Sequence, residues 1–315
     1  MGVSGLPVAV HEFVVAPAAF AIALWHGRSA LGARRALGEL LTLAAYGWAL
    51  ERVSMSVFAS HRYGAGWRVA PLGVPVAVAM VWAAVIASAL ALAARRGLHC
   101  GHRQAGWLHC GHRQAGWLRP AAARSLGAAL FAVTLDLAIE PVAIRRGLWQ
   151  WTPPGPWLGV PVGNFVGWLV IVASYGLGAE RWAGGGALVS EAARRLAVAA
   201  ASLSALLAVG LVWTRLDLEQ AVGRRGGWLF WAGALLATAA LGVRRQQPPF
   251  EGDTLAGRLA SVPGPGPGLV FLLVATAFAA EAALLGERAV GLVALGCVLA
   301  LLPLLRLSGT ASSGS

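Results

Sequence analysis

Two acidic residues four positions apart, Asp136 and Glu140, are the residues of this 315-residue chain best placed for proton chemistry. Residues i and i+4 of a helix lie on one face, about 6 Å apart. Two carboxyl groups at that spacing in an apolar setting cannot both ionise readily, so the pair can act as a proton donor beside a conjugate base. Because Pro141 follows directly, we expect the helix to end or kink at Glu140, where water can reach the pair.

Aromatic and amide side chains follow the acid pair closely. Trp149 and Trp151 come just after it, and Asn164 and Trp168 follow within a short apolar stretch. Tryptophan at a helix end often serves only as an interfacial anchor. Indole faces also stabilise cations, by up to about 2 kcal/mol or more when desolvated. An acid beside several indole faces is suited to protonating an isoprenoid double bond.

The composition indicates which elements must position these residues. The chain is 58% hydrophobic and 12% charged, with a mean hydropathy of +0.68. A water-soluble globular enzyme would carry about twice that charged fraction. The net charge of +12 comes entirely from arginines dispersed between apolar runs, which favours membrane topology over nucleic-acid binding. We therefore expect an integral membrane protein that does not bind nucleic acid.

Nine apolar runs are long enough to cross a bilayer, although the last two are separated only by Gly286 and Glu287, so eight crossings are also compatible. The predicted fold class is all-α, a polytopic membrane bundle of about eight or nine helices. Alternate connections carry about twice as many arginines on one side as on the other, which predicts an outer amino terminus and a cytoplasmic carboxyl terminus. The runs cover residues 6–25, 36–59, 71–94, 121–144, 161–179, 195–213, 227–243, 267–285 and 288–306.

Other acidic residues also fall within apolar runs. Glu51 is followed by Arg52, so it is interpreted equally as a functional group or as half of a structural ion pair. Glu12 and Glu39 lie near the ends of runs, and Glu281 stands alone. These three are interpreted as structural.

An internal repeat connects two parts of the chain. The pattern L-G-V-P-V-x5-W begins at Leu72 and again at Leu158, and it ends at Trp82 and Trp168. Glu51 precedes the first copy at nearly the distance at which Asp136 precedes the second. We expect helices 2 and 3 to repeat as helices 4 and 5 in parallel orientation, since membrane proteins often place a site where such units meet.

A second repeat is a perfect tandem copy of ten residues, LHCGHRQAGW, at 98–107 and 108–117. Histidine and cysteine are zinc ligands, but the spacing H-C-x-H differs from the paired spacings that bring two ligands to one ion. An inert loop is favoured over a zinc site, and no metal is predicted.

The segment from Asp136 to Trp168, DLAIEPVAIRRGLWQWTPPGPWLGVPVGNFVGW, resembles a family of carotenoid biosynthesis membrane proteins that includes bisanhydrobacterioruberin hydratase and γ-carotene 1′-hydratase. The matching signatures are D-x3-[DE]-P-V-A, G-x-W-x-W and G-V-P-x-x-N-F-x-G-W. The earlier block is similar at Glu51, Tyr63 and Trp82. It departs at residues 56–67, SVFASHRYGAGW, where the family usually has T-G-x-P-F-G-x-Y-x-Y.

The resemblance implies addition of water across the terminal 1,2 double bond of an acyclic carotenoid, without a cofactor. All 25 basic residues are arginine, which, with the excess of alanine and glycine, indicates a prokaryotic source and therefore a prokaryotic cell membrane. The partners would be the carotenoid and membrane lipids, and nothing in the sequence predicts an oligomeric state. Residues 1–190 would form the family-like core, and residues 191–315 would add helices of unassigned role. A cyclase of lycopene-like ends, a carotenoid-binding protein and a transporter are the alternatives. The implied catalytic residues are Asp136, Glu140 and Glu51, and the implied substrate-binding residues are Tyr63, Trp82, Trp149, Trp151, Asn164 and Trp168.

Overall fold

The computed structural model describes residues 7–95, 118–181, 191–243 and 254–303. The tandem repeat at 98–117 lies outside these ranges, so the expectation of an inert loop is not tested. Each of the nine apolar runs contains a helix. The helices are α1 (Val8–Leu31), α2 (Ala33–Val57), α3 (Val76–Arg95), α4 (Leu118–Arg145), α5 (Val162–Arg181), α6 (Glu191–Arg215), α7 (Leu218–Val243), α8 (Leu255–Ser261), α9 (Gly266–Leu285) and α10 (Arg288–Leu301).

Six of the described helices, α1, α3, α4, α5, α6 and α9, are long and apolar enough to cross a membrane. Helices α2 and α7 are as long but carry more polar residues, and α10 is a shorter apolar helix. The prediction of an all-α polytopic membrane bundle is confirmed. Many leucines on the outside of the bundle, such as Leu229 and Leu236, expose most of their side chains, as expected where lipid is the solvent.

Helices α3 and α4 form the centre of the bundle, and both are buried over most of their length. The inward positions of α3 are largely alanine, from Ala83 to Ala94. Small side chains allow helix backbones to approach closely, which is how membrane helices pack without a hydrophobic driving force. Helix α3 thereby contacts α1, α2, α4 and α9.

The two copies of the longer repeat share the backbone conformation of their first two residues. Leu72 and Leu158 have φ of 51° and 52°, and the glycines that follow them, Gly73 and Gly159, have φ of 83° and 84°. Two consecutive positive φ values favour glycine at the second position. In each copy a proline, Pro75 or Pro161, then directly precedes the first residue of a helix, α3 or α5. Superposition of α2 and α3 on α4 and α5 stays a prediction.

A short antiparallel sheet joins the two repeat units outside the helices. Strand β1 (His61–Tyr63) follows α2, and strand β2 (Trp149–Trp151) follows α4. His61 pairs with Trp151, and Tyr63 pairs with Trp149. The sheet therefore fixes the two predicted tryptophans of β2 against residues of the first unit.

The alternative that α4 ends at Glu140 is wrong, since the helix continues through Pro141 to Arg145, and a kink at this position stays a prediction. Proline removes one backbone donor, but α4 is packed on several sides, and packing can hold a helix beyond such a position. Arg145 donates to the Pro141 carbonyl at 3.3 Å within this last turn. Glu140 therefore lies inside the helix, buried, and not at its end.

Candidate active site

One cavity of about 470 Å³ brings together all of the side chains predicted to be catalytic or substrate-binding. Its wall is mostly apolar and aromatic, and it lies between the central helices and the small sheet. Cavities of this kind, with a few convergent polar groups, are the usual form of a small-molecule site. The predicted residues that line it are Glu51, Tyr63, Trp82, Asp136, Glu140, Trp149, Trp151, Asn164 and Trp168.

Asp136 and Glu140 lie on one face of α4, and both are buried. Asn164 Nδ2 donates to Asp136 Oδ2 at 2.7 Å. The indole N–H groups of Trp149 and Trp151 both donate to Glu140 Oε2, at 3.0 and 2.8 Å. Protein donors therefore hold at least one oxygen of each carboxyl group in a fixed orientation.

Glu51 reaches the same cavity from α2. Its Oε1 accepts a hydrogen bond from Trp82 Nε1 at 2.8 Å, and its Oε2 lies 3.0 Å from His61 Nε2. The alternative that Glu51 pairs with Arg52 is wrong, because neighbouring residues of a helix point in different directions and Arg52 is exposed. Glu51 thus belongs to the cavity and not to a surface ion pair.

His61 is a cavity residue that the sequence analysis did not single out. Burial lowers its pKa, but the hydrogen bond with Glu51 and the charges of Glu51 and Glu140 raise it by more, so that the pKa lies above its usual value. The signal that could have identified His61 as a site residue is its place in the first repeat unit, in the segment that forms β1 opposite Trp151. His61 can therefore hold a proton between two carboxyl groups.

Tyr63 contacts the same acids. Burial and the nearby charge and hydrogen bond of Glu51 raise the pKa of its hydroxyl well above the usual value, so it remains a protonated donor. Its ring packs edge-on against Trp149 and Trp67. The phenol thus supplies a fixed hydrogen-bond donor at one end of an aromatic wall.

The arrangement can transfer protons to and from an apolar ligand. Five carboxyl groups, among them Glu51, Asp136 and Glu140, and two histidines line a single cavity, and indole donors orient Glu51 and Glu140. Aromatic rings cover much of the remaining wall, where they exclude water and can stabilise positive charge. Among the residues that the structure describes, no group of three or more His, Cys, Asp or Glu is arranged to hold a metal ion.

The sequence model of a family described as carotenoid biosynthesis protein matches residues 9–224. This chain belongs to that family. The match covers more than half of the chain and includes every predicted site residue, so the expected resemblance to carotenoid biosynthesis proteins is confirmed. It extends on both sides of the stretch from Glu51 to Trp168 in which the sequence carries the resemblance. No curated protein and no solved structure matches the chain.

Membership in the carotenoid biosynthesis family agrees with the chemistry of the cavity. A carotenoid is a long hydrocarbon, and an apolar, aromatic cavity inside a membrane bundle fits such a lipid. Several helices are apolar enough to place the protein in a membrane, where the lipid is dissolved.

Proposed function

We propose that this protein is a carotenoid hydratase, which adds water to the terminal 1,2 double bond of an acyclic carotenoid end group. The observation that carries the proposal is the placement of Asp136 and Glu140, hydrogen-bonded by Asn164 and by two indoles, in an apolar cavity. Protonating a hydrocarbon double bond requires an acid held close to it and protected from bulk water. No redox change occurs, so the reaction needs no redox cofactor.

The reaction divides into two balanced steps. One carboxylic acid of the pair transfers its proton to the less substituted carbon of the double bond, and the π electrons form the new C–H bond. The other carbon becomes a tertiary cation. A water oxygen then bonds to this cation, and the partner carboxylate takes the proton that the water loses. The net change is the addition of one water molecule.

The aromatic residues act on the cation between these two steps. Trp149, Trp151 and Trp168 line the cavity beside the acid pair. The negative face of an indole stabilises a cation without reacting with it, whereas a polar neutral wall would offer alternative nucleophiles. We assign substrate binding and cation stabilisation to these rings.

The test is expression in cells that make lycopene, followed by mass analysis of the pigments. A gain of one water supports the hydratase, and growth in H₂¹⁸O should place one ¹⁸O in the product. An isomer of unchanged mass would instead indicate a cyclase, in which a neighbouring double bond captures the cation. Binding of the pigment without any chemical change would indicate a carotenoid-binding protein or a transporter. Cells that express the Asp136→Asn, Glu140→Gln double variant provide the matched control.

We further propose that the protein lies in the cell membrane of a prokaryote, with the amino terminus outside and the carboxyl terminus in the cytoplasm. The arginine-rich connections support this orientation, which places the small sheet and the acid pair near the outer face. A reporter fused after Ser315 should be active only on the cytoplasmic side. Reporter activity only on the outer side would show that the orientation is the opposite of the one proposed.

The division of labour along the chain is also a proposal. Residues 1–190 carry the three carboxyl groups and the tryptophans assigned to catalysis. Residues 191–315 contribute wall residues to the same cavity, including Trp213, Val274 and Phe278. We assign them the role of closing the cavity. Substitution of these wall residues should change which carotenoid is accepted more than it changes the chemistry.

A further inference from the structure

His11 and Glu281 form a buried contact between two helices that are far apart in the sequence. His11 Nε2 lies 3.1 Å from Glu281 Oε1, and the side chains are 5% and 0% exposed. Arg146 Nε lies 2.8 Å from the other oxygen of Glu281. The interpretation that Glu281 stands alone is therefore wrong. An ionisable cluster at membrane depth is costly, so it is a functional candidate by default.

The contact with Glu281 determines which nitrogen of His11 carries a hydrogen. Because Glu281 also pairs with Arg146, its oxygens act as acceptors, so the hydrogen shared with Glu281 lies on His11 Nε2 and Nδ1 can accept a hydrogen bond from another group. Nδ1 is buried and has no hydrogen-bond partner among the residues that the structure describes. A buried polar atom without a partner is costly and rare in folded proteins, which indicates that a ligand group satisfies it.

His11 lies at the cavity that holds the acid pair. It lines the cavity together with Val15 and Phe278, and its ring packs against Phe278 with centroids 5.0 Å apart. It also begins a π-helical turn of α1, His11–Val15. Such turns are rare and occur frequently at functional sites, because they change the direction of a side chain relative to the regular helix.

We propose that His11 is a second polar site of the cavity, which accepts a hydrogen bond from an O–H group through Nδ1. Glu281 and Arg146 act as positioning residues, because they fix the ring and its hydrogen without lining the cavity themselves. The O–H group has two possible sources, the hydroxyl of an oxygenated isoprenoid or a water molecule in the cavity. The identity of this ligand rests on the proposed function, but binding can be measured without turnover.

The decisive variant is His11→Gln. Glutamine can place its Nε2 donor near Glu281, so the buried carboxylate keeps a partner, but it has no acceptor at the position of Nδ1. His11→Asn is the reverse variant, since its side-chain amide lies near Nδ1 and loses the reach to Glu281. The matched control is His26→Gln, because His26 is equally buried but bonds the Leu259 carbonyl and does not line the cavity.

The experiment measures binding of lycopene and of its 1-hydroxy derivative to the full chain in lipid nanodiscs, by quenching of tryptophan fluorescence. His11→Gln should weaken binding of the hydroxylated lipid by about 3- to 10-fold and leave lycopene binding unchanged. His11→Asn should still bind the hydroxylated lipid more tightly than lycopene. This outcome identifies a lipid hydroxyl as the ligand. Water is identified instead if His11→Gln binds each lipid as tightly as the parent chain does but hydrates lycopene more slowly. In that case His26→Gln should hydrate lycopene at the parent rate.

Two outcomes would overturn the inference. His11→Gln could match the parent chain in both binding and hydration, or it could lose affinity for both lipids equally, as a merely structural residue would. Failure of the proposed function gives a different pattern. In that case, no variant and no parent chain would hydrate lycopene, while the preference for the hydroxylated lipid would still depend on His11.

Discussion

Trp82 and Trp168 stack face to face, with ring centroids 3.8 Å apart and planes 6° from parallel. They are the equivalent last residues of the two repeat copies. Trp82 also donates to Glu51, and Trp168 contacts Asp136, so each indole contacts the acidic residue of its own repeat unit. The stack therefore joins the two repeat units inside the cavity wall.

Gly47→Ala should disturb this stack. A Cβ at Gly47 would lie 2.6 Å from Trp82 Cβ. Because Trp82 Cβ is attached directly to the backbone, it cannot move away without displacing the whole indole. We expect product formation to fall by about 10- to 100-fold, as small displacements in a site can cost. The measurement is product yield at equal membrane expression. Gly291→Ala is the control, since nothing lies within 4 Å of its Cβ position, and an equal loss there would contradict the interpretation.

Asp136→Asn and Glu140→Gln should each abolish detectable hydration, with a loss of at least about 10²-fold. An amide fits the space and keeps hydrogen-bond partners, but it cannot donate an acidic proton. Pigment mass analysis together with membrane expression checks both points. Glu287→Gln changes an exposed carboxylate in the same way and should remain active. Near-normal hydration by both site variants would leave the family membership intact and remove the mechanism.

Glu51→Gln should reduce the product yield by as much as Asp136→Asn or Glu140→Gln. Glu51 lines the cavity and contacts His61 and Trp82, so its removal changes the electrostatics of the whole site. The comparison is made on product yield with the variant Arg52→Gln, which alters the exposed neighbour. A small effect of Glu51→Gln, matched by that of Arg52→Gln, would return Glu51 to a structural role.

Trp149→Phe and Trp151→Phe should each slow turnover by about tenfold. Each change removes one indole hydrogen bond to Glu140, and a phenyl face binds a cation more weakly than an indole. The rate of product formation in membranes gives the effect. Trp25→Phe, at an exposed position, is the control. Unchanged rates in the double variant would show that the indole donors do not matter to the reaction.

The His61–Glu51 pair should stabilise the protein most at low pH. The pKa of folded His61 lies above the unfolded value of about 6.5, because Glu51 favours the charged ring. The contribution of the pair is therefore complete below pH of about 6.5 and is lost as the pH rises through the folded pKa. The difference in melting temperature between the parent chain and His61→Gln should shrink from pH of about 5.5 to 9. A constant or growing difference would contradict the pairing.

The sequence by itself determined the bilayer as solvent, the apolar helices, the family, and which acids and tryptophans to expect in one candidate site. These features are local, because a run of apolar residues must form a helix in lipid, whatever it packs against. The i, i+4 spacing of Asp136 and Glu140 likewise follows from helix geometry alone. The residue at which α4 ends could not be predicted from the sequence, since the packed helix continues through Pro141.

Only the tertiary structure decided which side chains meet across the bundle. Glu51 pairs with His61 and not with its neighbour Arg52, and His11 meets Glu281 across a separation of 270 residues. Apolar helices of similar composition can pack in many orders and rotations, because lipid contacts are as favourable as contacts between their own apolar faces. A buried polar contact therefore depends on the one rotation that the packed bundle selects, and no local pattern in the chain specifies it.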